Sequence, residues 1–348
     1  MALDRRQFIH AAAAAPLLCS IGGKTVELTS RHDVELADAA AARTPRPGAA
    51  AAQAAEQFPI PEPAPGGRVR EHWIQARSRR WDVAPAKVDE WMKHRIRGRT
   101  RFRAYAYQAM STGFARPLGR PRIPGPILQA EVGDLLKVHF RNADTRFNQA
   151  VTMHPHGVRY NPEYDGAYMG DHTRAGGFVA PGEEFTYLWE CTPDTVGVWP
   201  YHDHGPNHTL NTMRGLFGAV IVRPRGAPVP DVERVLALHS LAPQVTGLDR
   251  LFHVVNGRTG AGNTPTIEAR VGQDVAIHAM GMDSHLHTFH IHGHRWKDPN
   301  GTFVDNPGFG PMETVTARFT EDNPGRWLWH CHVFSHQDAG MAGWYVVT

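Results

Sequence analysis

The sequence predicts an all-β chain of two β-sandwich domains behind a leader, and three observations carry that expectation. The 348 residues include 34 Gly and 27 Pro, a density of turn formers that suits many short strands. Short apolar or alternating runs lie between those turns. The same motifs also recur in the same order in the two halves of the chain, which marks one domain duplicated. Hydrophobic residues make up 41% and charged residues 20%, so a real core can form and disorder throughout is excluded.

From the N-terminus, Asp4-Arg5-Arg6-Gln7-Phe8-Ile9 and the apolar stretch Ala11 to Leu18 resemble a twin-arginine export signal. Residues 1–30 are expected to be that signal, and 31–65 an Ala/Pro-rich linker. Export would place the protein in the periplasm or outside the cell. Asp82 to Arg97 has helical spacing, with Val88, Trp91 and Met92 on one face. Ile127 to Phe140 reads as two strands around the turn at Val132-Gly133-Asp134. Phe185 to Trp189 alternates, and Leu216 to Val222 is a buried-strand run.

The repeat sets the domain limits. Pro126 to Gly133 matches Pro265 to Gly272, and Val138-His139 matches Ile277-His278. His154-Pro-His156-Gly157 matches His290-Ile-His292-Gly293. Gly197-Val-Trp199-Pro-Tyr-His202-Asp-His204 matches Gly325-Arg-Trp327-Leu-Trp-His330-Cys-His332. Pro224 to Pro230 is the linker between them, which gives domain 1 at 66–226 and domain 2 at 227–348.

Some function classes drop out. A net charge of +3 with no long basic run argues against nucleic acid. No stretch reaches the 18 apolar residues of a membrane span. Three cysteines, Cys19, Cys191 and Cys331, cannot build a disulfide framework. The 22 histidines are the anomaly, because many fall in pairs.

On a strand, side chains alternate faces, so the two histidines of an H-x-H pair point to one side. Four pairs supply eight imidazoles, enough for three metal ions if the domains bring them together. Imidazole alone does not choose the metal. Cys331 does. Lying between His330 and His332, it must face the other way, where it can join His287, His336 and Met341. Two His, a thiolate and a weak axial thioether are the ligand set of a blue-copper electron-transfer site. The strand then sets two metal sites back to back, one residue of backbone apart.

These motifs resemble the copper signatures of multicopper oxidases, and the chain is most similar to the two-domain bacterial type, the small laccases with type 1 copper in domain 2. The resemblance covers about residues 100–348. It implies two cupredoxin-like Greek-key β-sandwiches and four coppers per chain. The type 1 ligands would be His287, Cys331, His336 and Met341. His154 and His290 would hold type 2 copper, and His156, His202, His204, His292, His330 and His332 the type 3 pair. Tyr160 falls where small laccases have a tyrosine that can donate an electron, and Asp165 near a carboxylate that helps deliver protons. A reductant would give up electrons near an exposed edge of His287, and O2 would become water at the cluster. The subunits would close as a homotrimer, each cluster forming between domain 1 of one and domain 2 of the next.

Domain 1 departs from this pattern. Asp203 replaces the cysteine, Val151 falls where His287 would be, Leu216 near the place of Met341, and His208 sits like His336. Domain 1 is therefore expected to lack type 1 copper, which argues against copper nitrite reductase, whose type 1 cysteine lies in the first domain. The reductant is expected to be phenolic. Alternatives are a metal-ion oxidase for Fe(II) or Mn(II), with Asp283, Asp305, Glu313 or Asp338 near His287, and a non-enzymatic copper-binding electron shuttle. Cys191 is expected to be a buried free thiol. His139, His239, His253 and His278 read as core or surface residues, and His285 and His294 as supports for the third motif.

Overall fold

The computed structural model describes residues 17–47 and 58–348. The Asp4–Ile9 motif lies outside them. Two compact units form. The first takes the chain up to Arg80, then Arg103–Gly226 and Ala242–Arg250. The second takes Trp81–Phe102, Ala227–Leu241 and Leu251–Thr348. Residues 81–102 therefore belong with the second unit and 242–250 with the first, a departure from the simple division near residue 226.

The first unit opens with an arm. Strands β1 (Leu17–Ile21) and β2 (Lys24–Leu28) pair antiparallel through Gly22 and Gly23. Helix α1 (Arg31–Ala42) follows, capped by Ser30 and Asp33 in a reciprocal capping box. Its Val34, Ala37 and Ala41 pack with Cys19, Ile21 and Leu28 against Leu210 and Val245. The expected linker is thus a docked helix over 31–42, and the later part of the expected signal segment forms a hairpin. The alanine run that suggested a linker is also the best helix-forming composition.

Asp38 on α1 is the arm's polar anchor. Its carboxylate accepts both Nη atoms of Arg214 at 2.8 and 2.6 Å, Nδ2 of Asn207 at 3.0 Å and Nε2 of Gln149 at 2.9 Å. The Arg214, Asn207 and Gln149 residues are all buried.

Two four-stranded sheets form the body of the first unit. Between β3 (Val69–Asp82) and β6 (Arg101–Met110) lies the small hairpin β4 (Val88–Asp89) and β5 (His94–Arg95), which belongs to the second unit. Then come β7 (Ile127–Glu131), β8 (Leu135–Asn142), β9 (His154–Pro155), β10 (Glu184–Glu190), β11 (Gly197–His202), helix α2 (His208–Met213) and β12 (Phe217–Arg223). The sheets run β10-β8-β3-β6 and β7-β12-β11-β9. Tyr105, Tyr107, Phe140, Tyr187, Trp189 and Tyr201 fill the space between them.

The second unit repeats the plan. It holds β13 (Val232–Leu241), β14 (Phe252–Val255), β15 (Ile267–Ala269), β16 (Asp274–Gly281), β17 (His287–Thr288), β18 (His290–Ile291), β19 (Trp296–Lys297), β20 (Phe303–Val304), β21 (Gly308–Phe309), β22 (Thr314–Thr320), β23 (Gly325–His330), a short helix (Phe334–Asp338) and β24 (Ala342–Val347). Its sheets run β14-β13-β16-β22 and β15-β24-β23-β18. The pairings correspond between the units. β7 runs parallel to β12 as β15 does to β24, and β3 parallel to β8 as β13 does to β16. Both units are all-β sandwiches mixing parallel and antiparallel neighbours, as the duplicated motifs predict.

Register carries this duplication to the histidines. His154 pairs with His202 across β9 and β11, and His290 with His330 across β18 and β23. The glycine that ends each H-x-H-G motif has positive φ, +67° at Gly157 and +73° at Gly293. A Cβ on Gly157 would sit 1.9 Å from the Trp199 ring, and one on Gly293 3.1 Å from Trp327. The motif's fourth position is thus a steric demand of the tryptophan on the facing strand.

One element differs from its sequence expectation. Asp82 to Arg97 is not a helix but turns and the β4–β5 hairpin. Pro85 disfavours helix at Ala84, and Lys87 and Lys93 stand at φ +59° and +54°, outside helical geometry.

Replacing Asp38 with Asn leaves the buried Arg214 guanidinium without its countercharge. The expected loss is about 3 kcal/mol of stability, since breaking one side of a buried ion pair strands the other. Chemical denaturation of Asp38→Asn beside the parent measures it, and an unchanged midpoint would show that the arm does not anchor the unit.

Candidate metal centres

The end of β23 faces two ways. Inward, Cys331 is buried in the core of the second unit. Its Sγ lies 3.9 Å from Nδ1 of His287 and 3.8 Å from Nδ1 of His336. Metal–ligand bonds of about 2.0–2.3 Å put neighbouring ligand atoms at such separations. Met341 is fully buried in the same cluster, and its loop is tied to the cysteine. Cys331 N–H donates to the Met341 carbonyl at 3.1 Å, and Met341 N–H to the His336 carbonyl at 3.0 Å. The donor set of two imidazoles, a thiolate and a thioether fits copper.

The thiol is prepared for a metal. Burial pushes Cys331 up, but hydrogen bonds from His287, His336 and backbone N–H groups outweigh it and bring the thiol down to about 6. The two other cysteines show burial unopposed by hydrogen bonds: Cys191 is pushed up to about 12 and Cys19 to about 11. Both are buried and free.

His287 is not an exposed electron port. It is fully buried, and its Nε2–H donates to Oδ1 of Asp283 at 2.9 Å. The other carboxylate oxygen holds Nδ1 of His285 at 3.1 Å. The His285 side chain is 48% exposed, so hydrogen bonds link the buried His287 through Asp283 to a half-exposed imidazole. Burial raises the Asp283 carboxyl, but its hydrogen bonds to the two histidines hold it far below the usual range. Burial likewise lowers His287, while Asp283 and Cys331 together raise it to about 9. His253, expected to be a core or surface residue, stacks on His336 with ring centres 4.3 Å apart and bonds Ser240 Oγ at 2.9 Å. His253 meets Ser240 and His336 only through the fold, and the local Asp283–His285–His287 spacing has no strand periodicity to single it out. Asp283 was one carboxylate candidate among four; of the others, Asp305 offers its carbonyl to His290, Glu313 caps Gly310, and Asp338 bonds Gln337.

Outward, the same strand serves a histidine quartet. His290, His292 and His330 have ring nitrogens within 4.8 Å of one another, with His292 Nε2 3.1 Å from His330 Nε2. The His332 ring centre lies 5.0 Å from that of His330 and 5.6 Å from that of His290. Nδ1 of His290 donates to the Asp305 carbonyl at 2.7 Å and Nδ1 of His330 to the Cys331 carbonyl at 3.1 Å, so Nε2 is the unprotonated nitrogen of each ring. His294 supports the group through the His292 carbonyl at 2.8 Å and Glu321 at 3.1 Å.

The first unit carries a matching quartet. His154, His156 and His202 lie within 4.8 Å, with His156 Nε2 3.1 Å from His202 Nε2. The His204 ring centre is 5.0 Å from that of His154, and its buried Nδ1 has no hydrogen-bond partner among the described residues. Nδ1 of His154 donates to the Asp165 carbonyl at 2.7 Å, 3.1 Å from Oδ1 of the same residue. The Tyr160 ring lies 5.9 Å from His154. Burial, then Asp165, pushes its phenol up to about 12. Burial and neighbouring imidazoles push His156 and His330 down to about 4, so both are neutral at physiological pH, as metal ligands must be.

Behind this quartet the first unit holds a polar plug. Asp203 is fully buried; its carboxylate accepts Thr152 N–H at 2.8 Å, Gly205 N–H at 3.1 Å and Asn211 Nδ2 at 2.9 Å. Val151 and Leu216 are fully buried, and His208 stacks on His204. No thiolate stands there.

Two family models, each described as multicopper oxidase, match consecutive stretches, residues 121–227 and 229–348. The chain belongs to the multicopper oxidases. A crystal structure of a multicopper oxidase superposes with a TM-score of 0.64 at 26% identity, covering 82% of this chain and 92% of that one. Among curated proteins, the chain is 31% identical over 247 residues to a "Probable nitrite reductase-hydroxylamine oxidoreductase fusion protein" of Kuenenia stuttgartiensis, covering 65% of this chain and 28% of the relative. It is 29% identical over 269 residues to human Ferroxidase HEPHL1, covering 64% of this chain and 23% of the relative. This multicopper oxidase therefore spans about a quarter of the length of those curated relatives.

In the copper-free protein, one thiolate should titrate with a midpoint near pH 6 by ultraviolet absorbance, and Cys331→Ser should remove it. A first thiolate appearing only above pH 8 would contradict the arrangement around Cys331.

Proposed function

We propose that this multicopper oxidase is laccase-like, coupling one-electron oxidation of a phenolic or similar small reductant to four-electron reduction of O2 to water. The observation that supports it most is the residue triplet His330-Cys331-His332, which joins a thiolate site to a histidine quartet through one residue of backbone. Copper would supply the one-electron chemistry: type 1 at His287, Cys331, His336 and Met341, type 2 at His154 and His290, and the type 3 pair at His156, His202, His204, His292, His330 and His332. The chain's own contribution begins at Asp283, which orients His287 through Nε2. From Cys331 the covalent path to His330 and His332 is the shortest the backbone allows. Asp165 beside His154 is placed to pass protons, and Tyr160 next to it to lend an electron.

Each unit offers one quartet, and a cluster needs two. We propose a homotrimer in which a head-to-tail contact brings the first unit of one subunit to the second unit of the next, closing by cyclic symmetry. The twin-arginine motif supports export to the periplasm or beyond. Among the described residues no helix is long and apolar enough to cross a membrane.

A metal-ion oxidase is the second reading, favoured by the Asp283–His285 pair, whose carboxylate and half-exposed imidazole are ligands for Fe(II) or Mn(II). Asp203 in place of a thiolate speaks against nitrite reduction.

Metal analysis should find four coppers per chain; a single copper with full blue colour would leave an electron shuttle instead. Steady-state kcat/KM for a dimethoxyphenol should exceed that for Fe(II). Preferred Fe(II) turnover that Asp283→Ala alone abolishes would move the conclusion to the metal-ion oxidase. Light scattering should give a trimer, and an active monomer would refute the shared cluster.

A further inference from the structure

The excursion at residues 81–102 is built into the second unit by an extensive hydrogen-bond network. Trp81 Nε1–H donates to the Gly257 carbonyl at 2.6 Å, and Thr259 N–H to the Val83 carbonyl at 2.9 Å. Asn263 takes Ala86 N–H at 2.8 Å and gives its Nδ2–H to the Val88 carbonyl at 2.8 Å. At the hairpin tip, the buried Asp89 carboxylate accepts the backbone N–H groups of Trp91 at 2.9 Å and Met92 at 3.1 Å, an Asx turn that fixes the direction of Trp91. Glu90 accepts Arg326 Nη2 from β23 at 3.0 Å and Trp344 Nε1 from β24 at 2.8 Å. The tip is thereby tied to the strand that ends in His330 and to its neighbour.

What this framework presents is the indole of Trp91, half-buried and nearly parallel to the His330 imidazole, with ring centres 6.2 Å apart and planes 16° from coplanar. We infer that Trp91 is a positioning residue for the outward quartet: it lies against the face of His330 and, with the Cys331 carbonyl on Nδ1, holds that imidazole with Nε2 toward His292. This rests on the copper reading above. A lone hydrogen bond to Nδ1 leaves a ring free to rock about the bond axis; an aromatic plane against its face removes that freedom and keeps water off one side. Orienting groups around a metal ligand set affinity as the ligands do, and removing one typically costs about 10–100-fold. The excursion thus brings a residue from far along the chain to stack on His330.

The experiment titrates the copper-free full chain with Cu(II) alone, comparing wild type, Trp91→Ala and Trp91→Phe. Copper per chain, the paramagnetic resonance of the cluster copper and the blue absorption are read in parallel. The blue absorption arises on the other face of the same strand and reports that the second unit is folded. Trp91→Ala should keep the blue colour, change the resonance of the cluster copper and bind cluster copper about tenfold more weakly, and Trp91→Phe should restore wild-type behaviour. Wild-type cluster affinity and spectrum in Trp91→Ala would overturn the inference, as would a Phe variant as impaired as the Ala one. A wild-type chain that binds only the blue copper would overturn the cluster reading first, and this inference with it.

Discussion

The alternation of side chains along a β-strand is the constraint on which the sites depend. At the end of β23 it sends Cys331 into the core and the flanking histidines outward. Nothing else in the fold could place a thiolate and two imidazoles on opposite sides at so short a covalent distance. Antiparallel pairing then completes the outward set, because β18 sets His290 against His330. The inward set is completed by three further elements: His287 from the short strand β17, His336 from the short helix after β23, and Met341 from the segment that follows that helix. The segment from Cys331 to Met341 is held by hydrogen bonds between the Cys331, His336 and Met341 backbones, so the spacing of these three side chains is part of the chain's local structure.

The duplicated unit shows what happens when one side of this arrangement is given up. The quartet remains, down to the His154–His202 pairing and the glycine beneath a tryptophan. The thiolate is replaced by Asp203, whose carboxylate is satisfied by two backbone N–H groups and Asn211. Beyond it, the buried guanidinium of Arg214 meets Asp38 from the N-terminal arm. Hydrogen bonds and an ion pair thus hold together the region that corresponds to the Cys331 cluster of the second unit. The division of labour follows: one unit offers a single ligand quartet, the other a quartet and a thiolate site.

The sandwich architecture, the repeat and the clustered histidines were legible because they follow strand periodicity and recur. Cys331 was legible for the same reason, its two neighbours fixing its direction. The structure departs from sequence expectation where long-range contacts decide. Residues 31–42 look like a linker until Asp38 meets Arg214, 176 positions away. Val88, Trp91 and Met92 have helical spacing, yet the segment folds as a hairpin because Asp89 caps a local turn while Glu90 and Asn263 find partners across the second unit. The same holds for electron access. His287 is buried, and only the folded turn shows Asp283 standing between it and the half-exposed His285.

An anomalous difference map at the copper edge, from crystals of the loaded protein, tests the central claim most directly. The account predicts one copper bonded to Cys331 Sγ within the core, and separate copper density on the opposite side of the strand beside His330 and His332. Copper on one side only, or a Cys331 sulfur with no metal bonded to it, would contradict it.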